Sequence, residues 1–224
     1  AEALATGTKV REVLFLPEWA ASSEGRRLLS EAEKKGARPI EVGPRAMARA
    51  ATTDNPPPVL AVAPFPIREL QGQAEVGLVL DGLQDPGNAG TILRAAWGAG
   101  ADLVWAMPGT VDLFAPKVMR AAQGAHFHLV LKEGGVEALL LFAREGGWRL
   151  IATEPHADMP YWRARMARPC LLCIGNEARG LSAPLREAAG ERVNIPLAPG
   201  VDSLNAALSA GILLFELVRR KAED

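Results

Sequence analysis

The sequence is short of cysteine, of net charge and of long apolar runs. Two of its 224 residues are cysteines, and 25 lysines and arginines stand against 26 aspartates and glutamates. No run approaches the ~18 apolar residues that a membrane-spanning helix needs, and no basic, apolar leader is recognisable at the start. We therefore expect no membrane association and a cytoplasmic location. The absence of an initiating methionine indicates a processed or trimmed start.

The charge balance argues against a protein that simply coats nucleic acid. Residues 1–71 contain ten basic and nine acidic side chains, and the remainder contains fifteen and seventeen. Non-specific nucleic-acid binding depends on many phosphate contacts, and neither part has the excess of basic residues that it requires. Local clusters of cations stay open as sites of RNA contact.

The two cysteines form a C-x-x-C pair, Cys170 and Cys173, within the apolar segment PCLLCIG. Residues three apart on a strand point to opposite faces of the sheet. A redox-active pair usually opens a helix, and a zinc site would need a second pair of ligands. The sequence therefore predicts two buried structural cysteines.

Helix and strand patterns alternate along the first part of the chain. In residues 1–63, three short apolar strands and two helices predict a small α/β unit. The segment PFPIRELQGQAE, with two prolines and a glycine, then predicts a linker. We place the domain boundary near residue 70, which gives domains over residues 1–70 and 71–224.

From residue 76 onward, strands that are almost wholly apolar alternate with helices. This pattern predicts βαβ units and a parallel sheet with helices on both faces. Ligands of such sheets bind outside the carboxyl ends of the strands, so the loops that follow the strands are where we expect the functional site. The predicted strands are VGLVLDG, DLVWAM, HFHLVL, RLIATE, CLLCIG and VNIPL.

The loop that follows the first of these strands contains DPGNAGTILR. Its Asn88 is suited to cap the next helix, and Arg94 falls one to two turns into that helix. The loop lacks the Gly-Lys-Ser/Thr of a P-loop and the G-x-G-x-x-G of a dinucleotide site. A capped helix with a surface arginine explains it as well as a functional site does.

Two later loops carry further polar residues. IGNEARGLS contributes Asn176 and Glu177, and the loop before the last helix contributes Ser203 and Asn205. Structural explanations exist for both loops: Glu177 in an acidic first helical turn, and Ser203 or Asp202 as the N-cap of the last helix. A single cap does not explain two polar residues beside a Pro/Gly loop.

Together the three loops resemble the motifs of the SPOUT superfamily of RNA methyltransferases, in its SpoU/TrmH branch. The similar segments are DPGNAGTILRAA, IGNEARGLS and NIPLAPGVDSLNAALSAGILLFE, with RAAQGAHFHLV between the first two. The resemblance covers roughly residues 76–220. Residues 1–63 more weakly resemble the ribosomal-protein-L30-like (L30e-like) RNA substrate-binding domain, without its usual beginning.

The resemblance implies transfer of a methyl group from S-adenosylmethionine to a ribose 2′-hydroxyl of ribosomal RNA or tRNA, without a metal. It also implies a parallel α/β methyltransferase domain with a C-terminal trefoil knot, which the rule that connections do not thread loops would reject. A homodimer through the knot region and the last helix is implied as well, with each active site completed by the partner.

The resemblance also implies roles for individual residues. Arg94 is expected to bond the developing alkoxide and the neighbouring phosphate rather than to act as a base, because guanidinium groups stay protonated in proteins. The other catalytic positions implied are Asn88, Glu177, Ser203 and Asn205. The cofactor is expected to lie between apolar side chains while backbone groups contact its adenine. The positions implied for it are Thr153, Gly175, Asn176, Ile195, Leu197 and Leu204.

RNA contacts are less well determined by the sequence. Lys117 and Arg120 are candidate RNA-binding residues, and His126 and His128 are predicted on one face of a strand, where two histidines alone do not make a metal site. The run Tyr161, Trp162, Arg163, Arg165 and Arg168 predicts either phosphate and base contacts or a solvated loop.

Two other classes of function stay open. A non-catalytic RNA-binding or ribosome-assembly factor on the same fold would share these motifs. A dinucleotide-dependent oxidoreductase has less support, because the phosphate fingerprint is missing.

Overall fold

A computed structural model of the chain describes residues 1–53 and 55–223. The chain separates into two compact units, Ala1–Pro66 and a second unit that begins at Ile67. None of the helices in the described residues is long and apolar enough to cross a membrane.

The first unit is a three-stranded sheet with short helices. Its strands are β1 (Glu12–Phe15), β2 (Arg38–Glu41) and β3 (Val59–Val62). They lie in the order β2-β1-β3, with β1 parallel to β2 and antiparallel to β3. The helices are α1 (Glu2–Ala5), α2 (Pro17–Ala20), α3 (Ser23–Lys34) and α4 (Pro44–Ala50).

Helix α3 begins directly after a serine that caps it. The side chain of Ser22 accepts a hydrogen bond from the backbone N–H of Gly25 at 2.9 Å, as an N-cap does. Helices α1 and α2 were not predicted, because four residues are too few to display a helical period.

The second unit contains six strands: β4 (Val76–Asp81), β5 (Leu103–Ala106), β6 (Val130–Glu133), β7 (Arg149–Thr153), β8 (Cys170–Gly175) and β9 (Glu191–Val193). They form one sheet in the order β6-β5-β4-β8-β7-β9, and all five strand pairs are parallel. The predicted parallel sheet is therefore confirmed.

Helices cover both faces of this sheet. They are α5 (Pro86–Gly98), α6 (Pro116–Ala122), α7 (Val136–Glu145), α8 (Ala183–Ala188) and α9 (Ala206–Glu223). Side chains of α5, α6 and α9 pack in one apolar cluster on the first face, and side chains of α7 and α8 pack in another on the second face. This three-layer arrangement leaves the carboxyl ends of the strands free to carry loops.

The two cysteines lie in β8 and are buried and unbridged. Cys170 packs in the cluster on one face of the sheet and Cys173 in the cluster on the other. Burial raises the pKa of both thiols to about 12. The prediction of structural cysteines is confirmed.

The prediction for HFHLVL is wrong in its first half. Residues Ala125–Phe127 form a 3₁₀ turn, and β6 begins only at Val130. His126 is buried with its Nε2 2.6 Å from the carbonyl oxygen of Leu113, and burial lowers the pKa of His126. His128 stacks on Trp97 with ring centroids 4.1 Å apart. The two histidines therefore do not share a strand face.

Strand β9 is also shifted from its predicted place. The sequence predicted VNIPL, whereas the strand ends at Val193. Pro196 has no backbone N–H for a sheet ladder, and the chain from Asn194 to Asn205 forms a loop at the carboxyl edge.

Candidate active site

Two adjoining clefts open at the carboxyl edge of the six-stranded sheet. The larger has a volume of about 480 Å³ and the smaller about 70 Å³. The residues that line both are Thr153, Glu154, Pro155, Ser203, Leu204 and Ser209. The clefts therefore lie between the end of β7 and the start of α9, where ligands of parallel sheets bind.

The residues predicted to contact a cofactor all line these clefts. Gly175 and Asn176 line the larger cleft, and Ile195 and Leu197 line the smaller one. Thr153 and Leu204 line both. Residues from three loops thus converge on one site, with apolar side chains concentrated in the smaller cleft.

The loop after β8 is fixed by its own polar groups. The Asn176 side chain accepts hydrogen bonds from the backbone N–H groups of Ala178 and Arg179 at 3.0 Å and donates one to the carbonyl of Gly82 at 2.8 Å. Asp81, at the end of β4, accepts from the N–H of Ser182 at 2.7 Å. The loop is therefore tied to the neighbouring strand.

Gly175 and Gly180 allow this loop to close. A Cβ atom at Gly175 would lie 2.3 Å from the carbonyl carbon of Gly180, and Gly180 itself has a φ of +68°. Both conditions favour glycine. The acidic helical turn considered for Glu177 is not formed, because α8 begins only at Ala183.

Three of the predicted catalytic residues form one hydrogen-bonded chain. Asn88 donates from Nδ2 to Oε1 of Glu177 at 2.9 Å, and Asn205 donates from Nδ2 to Oδ1 of Asn88 at 2.8 Å. Each residue comes from a different motif. Asn88 uses both ends of its amide, so its orientation is fixed by its two neighbours.

The helix caps differ from those that the sequence predicted. Asp85, not Asn88, caps α5, because its side chain accepts from the N–H of Asn88 at 2.6 Å. Asn205, not Ser203 or Asp202, caps α9 by accepting from the N–H groups of Ala207 and Leu208 at 2.8 and 3.2 Å. The Asn88 amide is therefore available for the chain of polar residues.

Ser203 and Arg94 occupy different positions relative to the clefts. Ser203 lines both. Arg94 is exposed on α5 and lines neither cleft. Within residues 1–53 and 55–223, its side chain has no hydrogen bond or ion pair. Lys117 and Arg120 are exposed on α6, also away from the clefts.

The arginine-rich loop before β8 divides into two parts. Arg168 is 16% exposed and pairs with Glu75 at 3.2 Å, and Glu75 also binds Lys221 of α9 at 2.8 Å. Lys221 and Arg168 hold the pKa of Glu75 below its ordinary value. Trp162, Arg163 and Arg165 are exposed. Arg168 thus fastens the loop to the sheet.

Sequence reasoning missed several residues of the larger cleft. Glu154, His156, Arg179 and Arg186 line it in addition to the predicted positions. Glu154 directly follows β7, so the rule that ligands bind at the carboxyl ends of strands could have identified it. Arg186 lies in α8, and no local pattern indicates which face of that helix turns toward the cleft. The described residues contain no cluster of potential ligands for a metal ion.

A parallel sheet between two helical layers, with clefts and a polar chain at its carboxyl edge, is the architecture of α/β proteins, whose ligands bind at this edge of the sheet. The sequence matches the SpoU rRNA Methylase family over residues 75–215. The chain belongs to this family.

Curated relatives are methyltransferases by name. An uncharacterized tRNA/rRNA methyltransferase of Synechocystis sp. is 39% identical over 78% of this chain and 65% of its own length. The 23S rRNA (guanosine(2553)-2′-O)-methyltransferase RlmP of Bacillus subtilis is 34% identical over 74% of this chain and 66% of its own. The chain thus spans a little under two thirds of the length of these two relatives.

Solved structures of similar proteins extend over nearly the whole chain. The SpoU methyltransferase AviRb of Streptomyces viridochromogenes, in complex with AdoMet, has a TM-score of 0.86 and 30% identity, covering 100% of this chain and 87% of that one. The AdoMet-bound rRNA methyltransferase of Sinorhizobium meliloti has a TM-score of 0.84 and 29% identity, covering 98% and 83%.

Proposed function

We propose that the protein transfers a methyl group from S-adenosylmethionine to a ribose 2′-hydroxyl of ribosomal RNA or tRNA. The observation that carries this proposal is the hydrogen-bonded chain of Glu177, Asn88 and Asn205 at the edge of the clefts. The names of the relatives and the AdoMet in the similar structures support the same reaction.

The clefts fit an adenosine-containing cofactor in size and chemistry. Ligand pockets in proteins are typically ~300–1,000 Å³ with mostly apolar walls and a few polar groups, and the larger cleft falls in this range. Ile195, Leu197 and Leu204 supply apolar walls for a base, and Gly175 brings backbone close to it. When bound there, S-adenosylmethionine supplies an electrophilic methyl group on a sulfonium.

The polar chain then positions the ribose beside the clefts. Glu177 offers a carboxylate to a hydroxyl, and its orientation is set by Asn88. Ser203, which lines both clefts, offers a hydroxyl that can donate or accept. These groups align the attacking oxygen, and alignment alone contributes much of the rate in group transfer.

Arg94 supplies positive charge for the developing alkoxide and the adjacent phosphate. Such a charge-assisted hydrogen bond is stronger than a neutral one. Because Arg94 lies outside the clefts of its own chain, this role fits a homodimer in which Arg94 serves the partner's site. The exposed Leu208 and Phe215, each 53% accessible on α9, support a dimer through this helix.

The remaining parts of the proposal concern topology and RNA. A C-terminal trefoil knot is proposed on the resemblance of the sequence motifs. Arg220, near the end of α9, donates to the carbonyls of Tyr161 and Ala164 and so joins this helix to the loop before β8. The first unit, with the adjoining linker to residue 70, is proposed as the L30e-like substrate-binding domain. Lys117 and Arg120 are proposed to contact RNA phosphates, and the cytoplasm is the proposed location.

The reaction is tested by tritium transfer from labelled S-adenosylmethionine to RNA that lacks 2′-O-methylation. Arg94→Ala is expected to lower turnover by roughly a hundredfold or more, as removal of an oxyanion donor does. Binding of S-adenosylhomocysteine, measured by titration calorimetry, is expected to stay unchanged, because Arg94 is proposed to contact the ribose oxygen and its phosphate rather than the cofactor.

Arg144→Ala is the matched control, because Arg144 is an exposed arginine on α7. Its turnover should equal that of the wild type. Full activity in Arg94→Ala would remove the role given to Arg94. No heat with S-adenosylhomocysteine up to millimolar concentration would favour a non-catalytic RNA-binding or ribosome-assembly factor.

A further inference from the structure

Glu154 is the first side chain beyond β7 that reaches the clefts with an unused acceptor. Its backbone N–H donates to the carbonyl of Val193 at 2.9 Å, which fixes the residue at the sheet edge. The preceding Thr153 turns its hydroxyl inward and donates to the carbonyl of Cys173 at 2.7 Å. Glu154 itself lines both clefts.

One carboxylate oxygen of Glu154 is buried without a hydrogen bond. Oε1 has no hydrogen-bond partner in the described part of the chain. The Nε of Arg186 lies 3.7 Å away, which is within ion-pair range but too long for a hydrogen bond. In contrast, Glu177, the other carboxylate of the larger cleft, accepts from Asn88. Buried carboxylate oxygens normally accept at least one hydrogen bond.

We propose that Glu154 is a specificity residue that accepts hydrogen bonds from the bound cofactor. The donors on S-adenosylmethionine are the amino group of its adenine, the two ribose hydroxyls and the ammonium group of its methionine part. This inference rests on the proposed function, since it takes this cofactor as the ligand of the clefts. None of these contacts makes Glu154 part of the methyl transfer itself.

The charges around the larger cleft fit such a ligand. S-adenosylmethionine carries a sulfonium and an ammonium as well as one carboxylate. Glu154 supplies a negative charge for the cationic groups, and Arg179 and Arg186, which line the same cleft, supply positive charge for the carboxylate. Electrostatic complementarity of this kind contributes mainly to specificity.

A purely structural ion pair explains Glu154 less well. Arg186 is 50% exposed, and its 3.7 Å contact is a single long one. Ion pairs of half-exposed side chains contribute little to stability. Such a pair would also leave Oε1 without a hydrogen bond, whereas a ligand donor in the cleft would complete it.

The test compares two ligands by titration calorimetry with the full chain. S-adenosylhomocysteine has the adenine, the ribose and the amino-acid part, whereas 5′-methylthioadenosine keeps the adenine and the ribose but lacks the amino-acid part. Glu154→Gln keeps the shape of the side chain but removes its charge and presents an amide donor. We expect it to weaken binding of S-adenosylhomocysteine by roughly ten- to a hundredfold, the range for loss of a hydrogen bond to a charged group.

Glu187→Gln is the control, because Glu187 is exposed on α8 and lines neither cleft. Weaker binding of both ligands by Glu154→Gln places the carboxylate on the nucleoside, at the ribose hydroxyls or the adenine amino group. Weaker binding of S-adenosylhomocysteine alone places it on the ammonium group. Both results support the inference.

Three results would overturn it, and they differ in whether the proposed function falls as well. Unchanged affinity of Glu154→Gln for both ligands, with a wild type that binds S-adenosylhomocysteine, removes the role of Glu154 and leaves the proposed function standing. A lower melting temperature of the ligand-free variant with unchanged affinity would assign Glu154 to the ion pair. A wild type that binds neither ligand overturns the proposed function together with the inference.

Discussion

At the scale of single residues, Asn88 shows how one short side chain can connect separate motifs. An asparagine amide has a donor end and an acceptor end, and here the donor is used by Glu177 and the acceptor by Asn205. This is possible because Asp85 caps α5 in its place. An aspartate at position 88 could accept from Asn205 but would repel Glu177.

We predict that Asn88→Ala lowers methyl transfer by roughly a hundredfold, because Glu177 loses the partner that orients it. The free energy of unfolding should change by at most about 1.5 kcal/mol, since hydrogen bonds of exposed side chains contribute little. Tritium transfer and urea denaturation measure the two effects. Gln71→Ala removes an exposed amide from the linker and should change neither, whereas full activity of Asn88→Ala would contradict the prediction.

At the scale of secondary-structure elements, α9 is anchored near both ends. Asn205 caps its first turn and links it to α5. Near its other end, Glu216 accepts hydrogen bonds from Arg219 and Arg220, all between 2.8 and 2.9 Å. Arg220 in turn holds the loop before β8. The helix is thus joined at its start to the polar chain of the site and near its end to the loop before β8.

Glu216 provides a pH-dependent test of this anchorage. Arg219 and then Arg220 lower the pKa of Glu216 from 4.5 to about 2. A carboxyl whose pKa is lower in the folded state stabilises the fold above pH 4.5, and this contribution is lost as the pH falls from 4.5 to 2.

We therefore predict that Glu216→Gln lowers the free energy of unfolding at pH 7 by roughly 1–3 kcal/mol. The difference from the wild type should shrink as the pH falls below 4.5, as measured by urea denaturation at each pH. Glu187→Gln, on α8, should show no comparable loss at any pH. A difference that stays constant down to pH 3 would argue against the ion pair as its cause.

The strands and helices around the sheet could be predicted from the sequence, but the helix caps and side-chain contacts could not. Apolar strands alternating with helices identified β4 to β8, because strands covered on both faces lose their polar positions. The caps were misassigned because Asp202, Ser203 and Asn205 are all good N-caps, and the choice depends on where α9 begins. His126 was placed on a strand because its burial and its hydrogen bond with the carbonyl of Leu113 depend on tertiary packing.

The site was predictable in composition more than in geometry. The motif resemblance selected residues from three loops. These loops meet because the carboxyl ends of parallel strands lie at the same edge of the sheet. Neither the resemblance nor this geometry indicated that Arg94 would point away from the clefts, because that depends on how α5 is rotated against its neighbours. Glu154 was missed because it lies outside the motifs.

At the scale of the whole molecule, the site proposed for this chain is one that a second copy would complete. Arg94 lies outside its own clefts, and α9 presents Leu208, Phe215 and Val218 as exposed apolar side chains. Leu208 and Phe215 are seven residues apart and therefore share a helix face. A face of this kind on the last helix is suited to bury itself against the same face of a partner.

We predict that Phe215→Glu converts a dimer into monomers, because it places a charge in the proposed interface. Light scattering coupled to size exclusion should show twice the chain mass for the wild type and the single mass for the variant, with loss of methyl transfer. Leu141→Glu is the matched control, because Leu141 is 46% exposed on α7, on the other face of the sheet. A wild type that is monomeric and fully active would contradict the dimer and the shared site.

The double use of Asn205 restricts how this chain can change. Serine or aspartate would begin α9 equally well, yet neither has an amide to offer Asn88. Substitutions at position 205 that leave the melting temperature unchanged can therefore still abolish the proposed methyl transfer. In a survey of variants, this position should show the largest difference between the substitutions that keep the protein soluble and those that keep RNA methylation.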